Sequence, residues 1–318
     1  MRVAILDDYQ DVVKTLDCFN LLDTFEVKVF NETYTDTKKL ASKLFEFEVL
    51  VLIRERTIIS EELLSKLPNL KVISQTGKVS NHIDVDLCSK YNVLVLEGIG
   101  SSIAPAELTW ALIMAASRNI SSYVSNLSLN NKWQYSGSLG LGRTLSGLTI
   151  GIWGYGKIGQ KIAKYANAFD MNIFVWGSES SRELAKEHGF NTASSKEEFF
   201  TNSDIVTLHL RLNKVTQECV KKSDLKLMKK DSLFVNTSRS QLVQKDALYY
   251  ELKNNPSKTA AVDVYDMEPA IYENEKLHSL ENVLCSPHLG YVEKNSYELY
   301  FKIAFENIIE YFKKDMGI

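Results

Sequence analysis

Residues 148–159 read LTIGIWGYGKIG: an apolar run rises into Gly154-x-Gly156-x-x-Gly159 and passes straight into a helical pattern from Lys157 to Phe169. Each glycine has a physical task in such a turn. Gly154 permits a tight reversal, Gly156 lets backbone N–H groups approach a pyrophosphate, and Gly159 lets the helix lie close against the strand. The unpaired N–H groups at the helix start, around Lys157 and Ile158, and the positive end of the helix dipole then face the phosphates. The stretch predicts a strand–turn–helix unit that binds a dinucleotide. A glycine-rich turn that binds nothing is the plain alternative, and the flanking strand and helix favour binding.

On the C-terminal side, strand candidates follow at 172–176, 204–208, 232–236, 259–264 and 283–286. With 148–153 they form the six-stranded pattern of a dinucleotide-binding sheet. On the N-terminal side, strands over Val3–Leu6, Phe25–Phe30, Val49–Ile53, Lys71–Ser74 and Val93–Leu96 alternate with helices over Thr37–Leu44, Ser60–Leu67 and Asp84–Tyr91. Such alternation implies a second parallel sheet covered on both faces. Between the two regions PAELTWALIMAAS, Pro105 to Ser117, predicts a long apolar helix with Pro105 in its first turn, and a polar stretch over 130–147 follows. The closing segment, Glu293 to Phe312, is an amphipathic helix expected to cross back onto the first domain. The fold class is α/β with two domains, 1–102 plus 293–318 and 103–292.

Bulk composition narrows the function. The chain has 318 residues, 45% apolar, with 37 basic and 40 acidic side chains and a net charge of -3. Such a balance creates no field that attracts nucleic acid or an anionic membrane. Cys18, Cys88, Cys219 and Cys285 lie far apart, without a C-x-x-C pair or a histidine at metal-ligand spacing, so no metal site is expected. They read as thiols of a reducing compartment. The N-terminus lacks the apolar core of a signal peptide and no run reaches membrane-span length, so a cytoplasmic location is expected.

Three further motifs sit near the C-terminal ends of predicted strands: NTSRS with Arg239, DVYDMEP with Glu268 and SPHLGY with His288. Ligands of open α/β sheets bind at those ends, so the three side chains are candidates to converge beside a nicotinamide. A guanidinium grips a carboxylate with two parallel hydrogen bonds. A histidine titrates near neutrality and can give a proton to a carbonyl as hydride arrives. A carboxylate on the other ring nitrogen sets the tautomer and favours the imidazolium. Taken singly, each has a plain reading: a surface ion-pair arginine, a turn glutamate before proline, a strand-end histidine.

Taken in order, GYGKIG, NTSRSQLV, AVDVYDMEP and SPHLGY, preceded by QTGKVSNHID and SSIAPAELTWALIMAASRNI, closely resemble the D-isomer-specific 2-hydroxyacid dehydrogenase family over nearly the whole chain. The resemblance implies a Rossmann-type nucleotide-binding domain (103–292) inserted into a flavodoxin-like substrate domain (1–102 plus 293–318). It implies that Arg239 binds the substrate carboxylate, that Glu268 supports the histidine and that His288 is the acid/base. The family's substrate loop maps onto Gly77 to Asp84, so the backbone at Gly77, Lys78 and Val79 is expected to meet the carboxylate. Family members are usually homodimers joined through the nucleotide domain, and the helix from Pro105 is expected in that interface. The nucleotide motif comes after a complete α/β domain, which argues against the L-lactate and malate type.

The implied cofactor is NAD or NADP. An NAD site carries an acidic residue at the end of the second strand, but Gly177 stands there, followed by Ser178, Glu179, Ser180, Ser181 and Arg182. Ser178 and Arg182 are candidate ligands of a 2′-phosphate, Glu179 is a candidate to restore NAD preference, and Ser180 to Arg182 equally fit the start of the next helix. His209 is expected near the adenosine, Thr237 and Ser238 beside the cofactor, Thr109 near the nicotinamide, and Asp263 as partner of its carboxamide. The expected reaction moves a hydride between this cofactor and C2 of a small 2-oxo or D-2-hydroxy acid, as in glyoxylate and hydroxypyruvate reductases. Phosphoglycerate dehydrogenase without a regulatory domain is the first alternative, with Arg54, Arg56 and Lys78 as available cations. A nucleotide-sensing corepressor-like binding protein is the alternative of another class. Tyr291, after the catalytic motif, is expected to narrow the pocket, and His188 and His278 to be surface residues.

Overall fold

A computed structural model describes residues 1–315. They form two compact units, Met1–Ser101 together with the residues from Val292 onward, and Ser102–Tyr291.

In the first unit the apolar runs become β1 (Arg2–Ile5), β2 (Glu26–Val29), β3 (Val49–Leu52), β4 (Val72–Gln75) and β5 (Leu94–Leu96). All pair in parallel in the order β2-β1-β3-β4-β5, with Ile5 level with Val51 and Leu52 with Gln75. Helices α1 (Thr37–Leu44), α2 (Glu61–Leu64) and α3 (Val85–Lys90) intervene. Each starts where a side-chain oxygen accepts an otherwise orphan N–H: Asp36 from Lys39, Ser60 from Leu63, Asp84 from Leu87. Leu44, Leu50, Leu52, Leu63, Ile73 and Cys88 pack between these helices and the sheet. The C-terminal helix (Lys294–Asp315) belongs to this unit. Ser74 Oγ donates to the Ala304 carbonyl at 2.8 Å, and Glu298 accepts the N–H groups of Asp17 and Cys18 at 2.7 and 3.2 Å.

The second unit opens with α4 (Ile103–Ser117) and α5 (Ile120–Asn130). There follow β6 (Thr149–Trp153), α6 (Lys157–Ala168), β7 (Asn172–Trp176), α7 (Glu179–Glu187), β8 (Asn191–Thr192), α8 (Lys196–Asn202), β9 (Ile205–Leu208), α9 (Lys222–Leu227), β10 (Leu233–Asn236), α10 (Ala247–Asn254), β11 (Thr259–Val262) and β12 (Val283–Cys285). The sheet is parallel throughout, in the order β12-β11-β10-β9-β6-β7-β8. Strand order reverses between β6 and β9, which leaves a crevice beyond their carboxyl ends. One face is filled by Ile113, Ile150, Ile162, Val175 and Val235, the other by Trp153, Phe199, Phe200, Phe234 and Leu252.

The structure departs from the sequence expectations in identifiable places. The sheet has a seventh strand, β8, which is two residues long and polar and therefore carries no periodic signal. Helix α5 was not expected: its sequence, ISSYVSNLSLN, is rich in serine and asparagine, residues that compete with helical hydrogen bonding. Helix α4 begins two residues before Pro105, at Ile103. His278 is not a plain surface residue, because its ring stacks between Tyr265 and Tyr272 at 5.8 and 6.2 Å.

Candidate active site

The glycine turn is built as its spacing requires. Gly154 adopts φ 99°, and a Cβ there would lie 2.4 Å from the His209 carbonyl oxygen across the crevice. A Cβ on Gly159 would lie 2.1 Å from the Gly154 carbonyl oxygen, so α6 rests directly on the turn. Around Gly156 a Cβ would meet nothing within 4 Å. Gly156 is also the N-cap of α6 and offers no side-chain acceptor, so the first N–H groups of α6, around Lys157 and Ile158, have no side-chain cap. An uncapped helix start with an open cradle fits a dinucleotide pyrophosphate.

At the end of β7, Ser178 is the N-cap of α7 and accepts the Ser181 N–H at 3.3 Å. Residues Ser180 to Arg182 do lie in the next helix, and the Arg182 guanidinium lies over the Trp176 ring at 4.9 Å. Gly177 itself brings no carboxylate to this corner, where Glu179 is the first residue of α7, and a Cβ on Gly177 would press on Ser181 at 3.3 Å. His209 closes the far side; Thr207 Oγ1 lies 3.0 Å from its Nε2, and desolvation pushes its pKa down to about 3, so the imidazole is neutral.

Arg239, Glu268 and His288 follow β10, β11 and β12. The Arg239 turn is stapled by Asn236, whose Oδ1 accepts the Ser238 N–H at 3.1 Å and whose Nδ2 donates to the Arg239 carbonyl at 2.9 Å. Ser238 Oγ ties the turn to β9 through the Leu208 carbonyl at 2.7 Å, and Thr237 Oγ1 lies 2.7 Å from Thr109 Oγ1 on α4. Glu268 and His288 meet: Oε2 is 2.6 Å from Nδ1, with about a third of each side chain exposed. Glu268 Oε1 accepts the Tyr265 N–H at 3.1 Å, which fixes the carboxylate plane. With Nδ1 committed to the carboxylate, Nε2 is left as the working nitrogen.

Asp263 has a part in the loop that the sequence did not announce. Its Oδ1 accepts Ser286 Oγ at 2.6 Å and Leu289 N–H at 2.7 Å, and its Oδ2 accepts Gly290 N–H at 2.9 Å. It therefore clamps the loop that carries His288, whose own φ is 54°. Burial raises the Asp263 pKa, against the lowering by these donors and by His288. Tyr265 OH donates to the Ser286 carbonyl at 2.9 Å and completes the clamp. Tyr291 is buried edge-to-face against the imidazole, ring centroids 5.6 Å apart, so it walls the histidine itself. Sequence reading missed Asn236 and the clamp made by Asp263; an Asn closing a strand is a legible turn signal, whereas the clamp is not.

The loop with Gly77, Lys78 and Val79 lies in the first unit, after β4. Arg54 packs on Gly77 so closely that a Cβ there would lie 2.1 Å from its Nη1. Lys78 pairs with Glu97 at 2.9 Å, and Arg56 donates to the Asp7 carbonyl at 2.6 Å. Among the described residues no group of His, Cys, Asp and Glu is arranged to hold a metal, and no helix is long and apolar enough to cross a membrane.

The family model described as D-isomer specific 2-hydroxyacid dehydrogenase, NAD binding domain, matches residues 110–290. A crystal structure described as phosphoglycerate oxidoreductase from Vibrio Cholerae o395 is 59% identical, with a TM-score of 0.97 over 99% of both chains. Glyoxylate reductase from Aeropyrum pernix is 33% identical over 278 residues, 86% of this chain and 82% of its own length. D-3-phosphoglycerate dehydrogenase from Methanocaldococcus jannaschii is 32% identical over 292 residues, 91% of this chain. The chain spans only 53% of that relative.

Proposed function

The chain belongs to the D-isomer specific 2-hydroxyacid dehydrogenase family, and on that premise we propose that it reduces small 2-oxo acids to D-2-hydroxy acids, and the reverse. The observation that carries this reading is the 2.6 Å contact between Glu268 and His288 on a loop that Asp263 clamps. When bound, the nicotinamide supplies or accepts the hydride at C2. His288 Nε2 gives the proton to the carbonyl oxygen in reduction and takes it from the hydroxyl in oxidation. Glu268 holds the imidazole in the tautomer and charge state that this needs. Arg239 grips the carboxylate and orients C2. Around the cofactor, Gly154, Gly156, Lys157, Ile158 and Gly159 would cradle the pyrophosphate, His209 would border the adenosine, and Thr109, Thr237 and Ser238 would lie near the nicotinamide. In the first unit, the backbone of Gly77, Lys78 and Val79 would form a carboxylate seat. Oxidation of NADH and of NADPH against glyoxylate, pyruvate, hydroxypyruvate, phenylpyruvate and phosphohydroxypyruvate tests the reading; no turnover with any pair overturns it.

A phosphorylated acid is the second reading, favoured by the Arg54 guanidinium lying on Gly77. The same panel separates the two, since a phosphoglycerate dehydrogenase prefers phosphohydroxypyruvate.

For the cofactor we propose that NADPH is accepted, because Gly177 puts no carboxylate against a 2′-phosphate and Arg182 is a cation on that corner. Arg182→Ala is expected to lower kcat/KM for NADPH about tenfold while that for NADH changes about twofold or less. Equal losses with both cofactors would remove Arg182 from 2′-phosphate recognition.

We propose a homodimer joined through the second unit. The resemblance puts the Pro105 helix at that interface; α4 buries Ala106, Leu112 and Ile113 within its own unit and leaves Ile103, Glu107 and Ala111 exposed. Further exposed apolar surface lies on α5 and the segment after it, where Val124 is 58%, Leu129 81%, Trp133 77% and Leu141 92% exposed. Val124→Asp is expected to shift the protein from dimer to monomer in analytical ultracentrifugation, and a dimer of unchanged affinity would move the interface elsewhere. The four free cysteines fit the reducing cytoplasm that we propose as its location.

A further inference from the structure

The amide of Val79 already holds a carboxylate. Glu97, the residue after β5, turns its side chain across to the loop after β4. Its Oε1 accepts the Val79 N–H at 2.8 Å and its Oε2 accepts Lys78 Nζ at 2.9 Å. The main chain brings the two segments together: Gly98 N–H donates to the Gly77 carbonyl at 2.9 Å, and a Cβ on Gly98 would lie 2.6 Å from the Gln75 carbonyl oxygen. Asn307 Nδ2 donates to the Glu97 carbonyl at 3.1 Å, so the backbone that carries this carboxylate is itself held. The Lys78 hydrogen bond, and after it the Val79 amide, keep the Glu97 carboxyl below its ordinary pKa. It is therefore an anion at neutral pH, with 41% of its side chain exposed and room to swing out.

We propose that Glu97 is a specificity-determining residue: a tethered carboxylate that occupies the carboxylate seat of the loop and that an incoming 2-oxo acid displaces. The inference rests on the reading above that the amides around Lys78 and Val79 receive the acid. The exchange is carboxylate for carboxylate, with the same charge and the same amide donor, and the Lys78 ammonium stays behind as a further donor to the newcomer. Apparent affinity then falls by the fraction of time that the seat is closed. A tethered group on a short linker competes at an effective concentration on the order of millimolar. Every acid that must take the seat loses by that same factor. An acid whose second anchoring group holds it without the seat escapes that loss, so Glu97 disfavours the smallest monocarboxylates.

The test is calorimetric titration of oxamate, an unreactive 2-oxo acid analogue, into the NADH complexes of the natural protein, Glu97→Ala and Glu97→Gln. Glu97→Ala is expected to bind oxamate about tenfold more tightly. Glu97→Gln is expected to fall between, since its amide oxygen still accepts the Val79 N–H but carries no charge to hold Lys78. An exposed ion pair contributes little to stability, so both variants are expected to fold, and Glu97→Gln serves alone if Glu97→Ala does not. Unchanged or weaker binding in the variants overturns the inference, as does an absence of oxamate binding in all three proteins. Turnover of the 2-oxo acid panel by the natural protein is a separate readout. Failure there defeats the proposed reaction, whereas failure of the titration defeats the role of Glu97.

Discussion

Replacing His288 is expected to lower kcat on the order of a thousandfold while the affinity for the nicotinamide cofactor changes only about twofold. The reason lies in how its two ring nitrogens are used. Nδ1 is bound to Glu268 at 2.6 Å, so Nε2 alone can carry the proton that must reach the carbonyl oxygen as hydride arrives. The cradle proposed for the pyrophosphate comprises β6, the glycine turn and α6, elements other than the loop that carries His288. Choice of variant matters, because His288 sits at φ 54°, where most side chains are strained. Asparagine tolerates the left-handed region better than alanine, so His288→Asn keeps the loop and its clamp by Asp263 while removing the titrating ring. Steady-state kinetics give the loss in kcat, and fluorescence titration with NADH gives the cofactor affinity. Turnover close to that of the natural protein would reject His288 as the acid/base.

Arg239→Ala is expected to lower kcat/KM for the acid on the order of a thousandfold, with the loss divided between a higher KM and a lower kcat. A guanidinium that makes two parallel hydrogen bonds both binds the carboxylate and fixes the angle at which C2 is presented. Loss of binding alone would raise KM with kcat untouched, and loss of orientation adds the second effect. Arg239→Lys should recover little, since an ammonium is a point charge and cannot reproduce the planar fork. The Arg239 guanidinium also donates to the Ser238 carbonyl at 2.6 Å, but the turn should survive either change, because Asn236 and Ser238 Oγ hold it independently of the Arg239 side chain. A rise in KM with kcat unchanged would leave Arg239 as a binding group without a part in orientation.

Much of the fold was legible because it follows from local rules. In the first unit each strand formed within two residues of its expected ends, and α1 formed over the expected Thr37–Leu44. Strands such as β3 and β4, buried on both faces, show as continuous apolar runs. Ser60 and Asp84, read as the first residues of their helices, proved to be N-caps one residue outside them. What failed to show was short or compositionally ambiguous: the two-residue β8 at a sheet edge, and α5 with its serines and asparagines. The candidate site divides in the same way. The three glycines, Asn236 and the turns with Arg239, Glu268 and His288 announce themselves through neighbours within a few residues. The hydrogen bonds of Asp263 and Glu97 do not.

By itself the sequence determined the order of most elements, the glycine turn, and which strand ends carry an arginine, a glutamate and a histidine. Each of these depends on backbone geometry and side-chain chemistry over a span of residues that a linear pattern contains. Only the tertiary structure decided that Glu268 meets His288, that Asp263 clamps the histidine loop, that α5 carries an exposed apolar face, and that Glu97 lies on the Val79 amide. Those outcomes join residues 18 to 27 positions apart, or turn on what a helix does or does not find to pack against. Hydrogen bonds and burial act through space, and a chain read in one dimension holds no record of which distant groups come within 3 Å of one another.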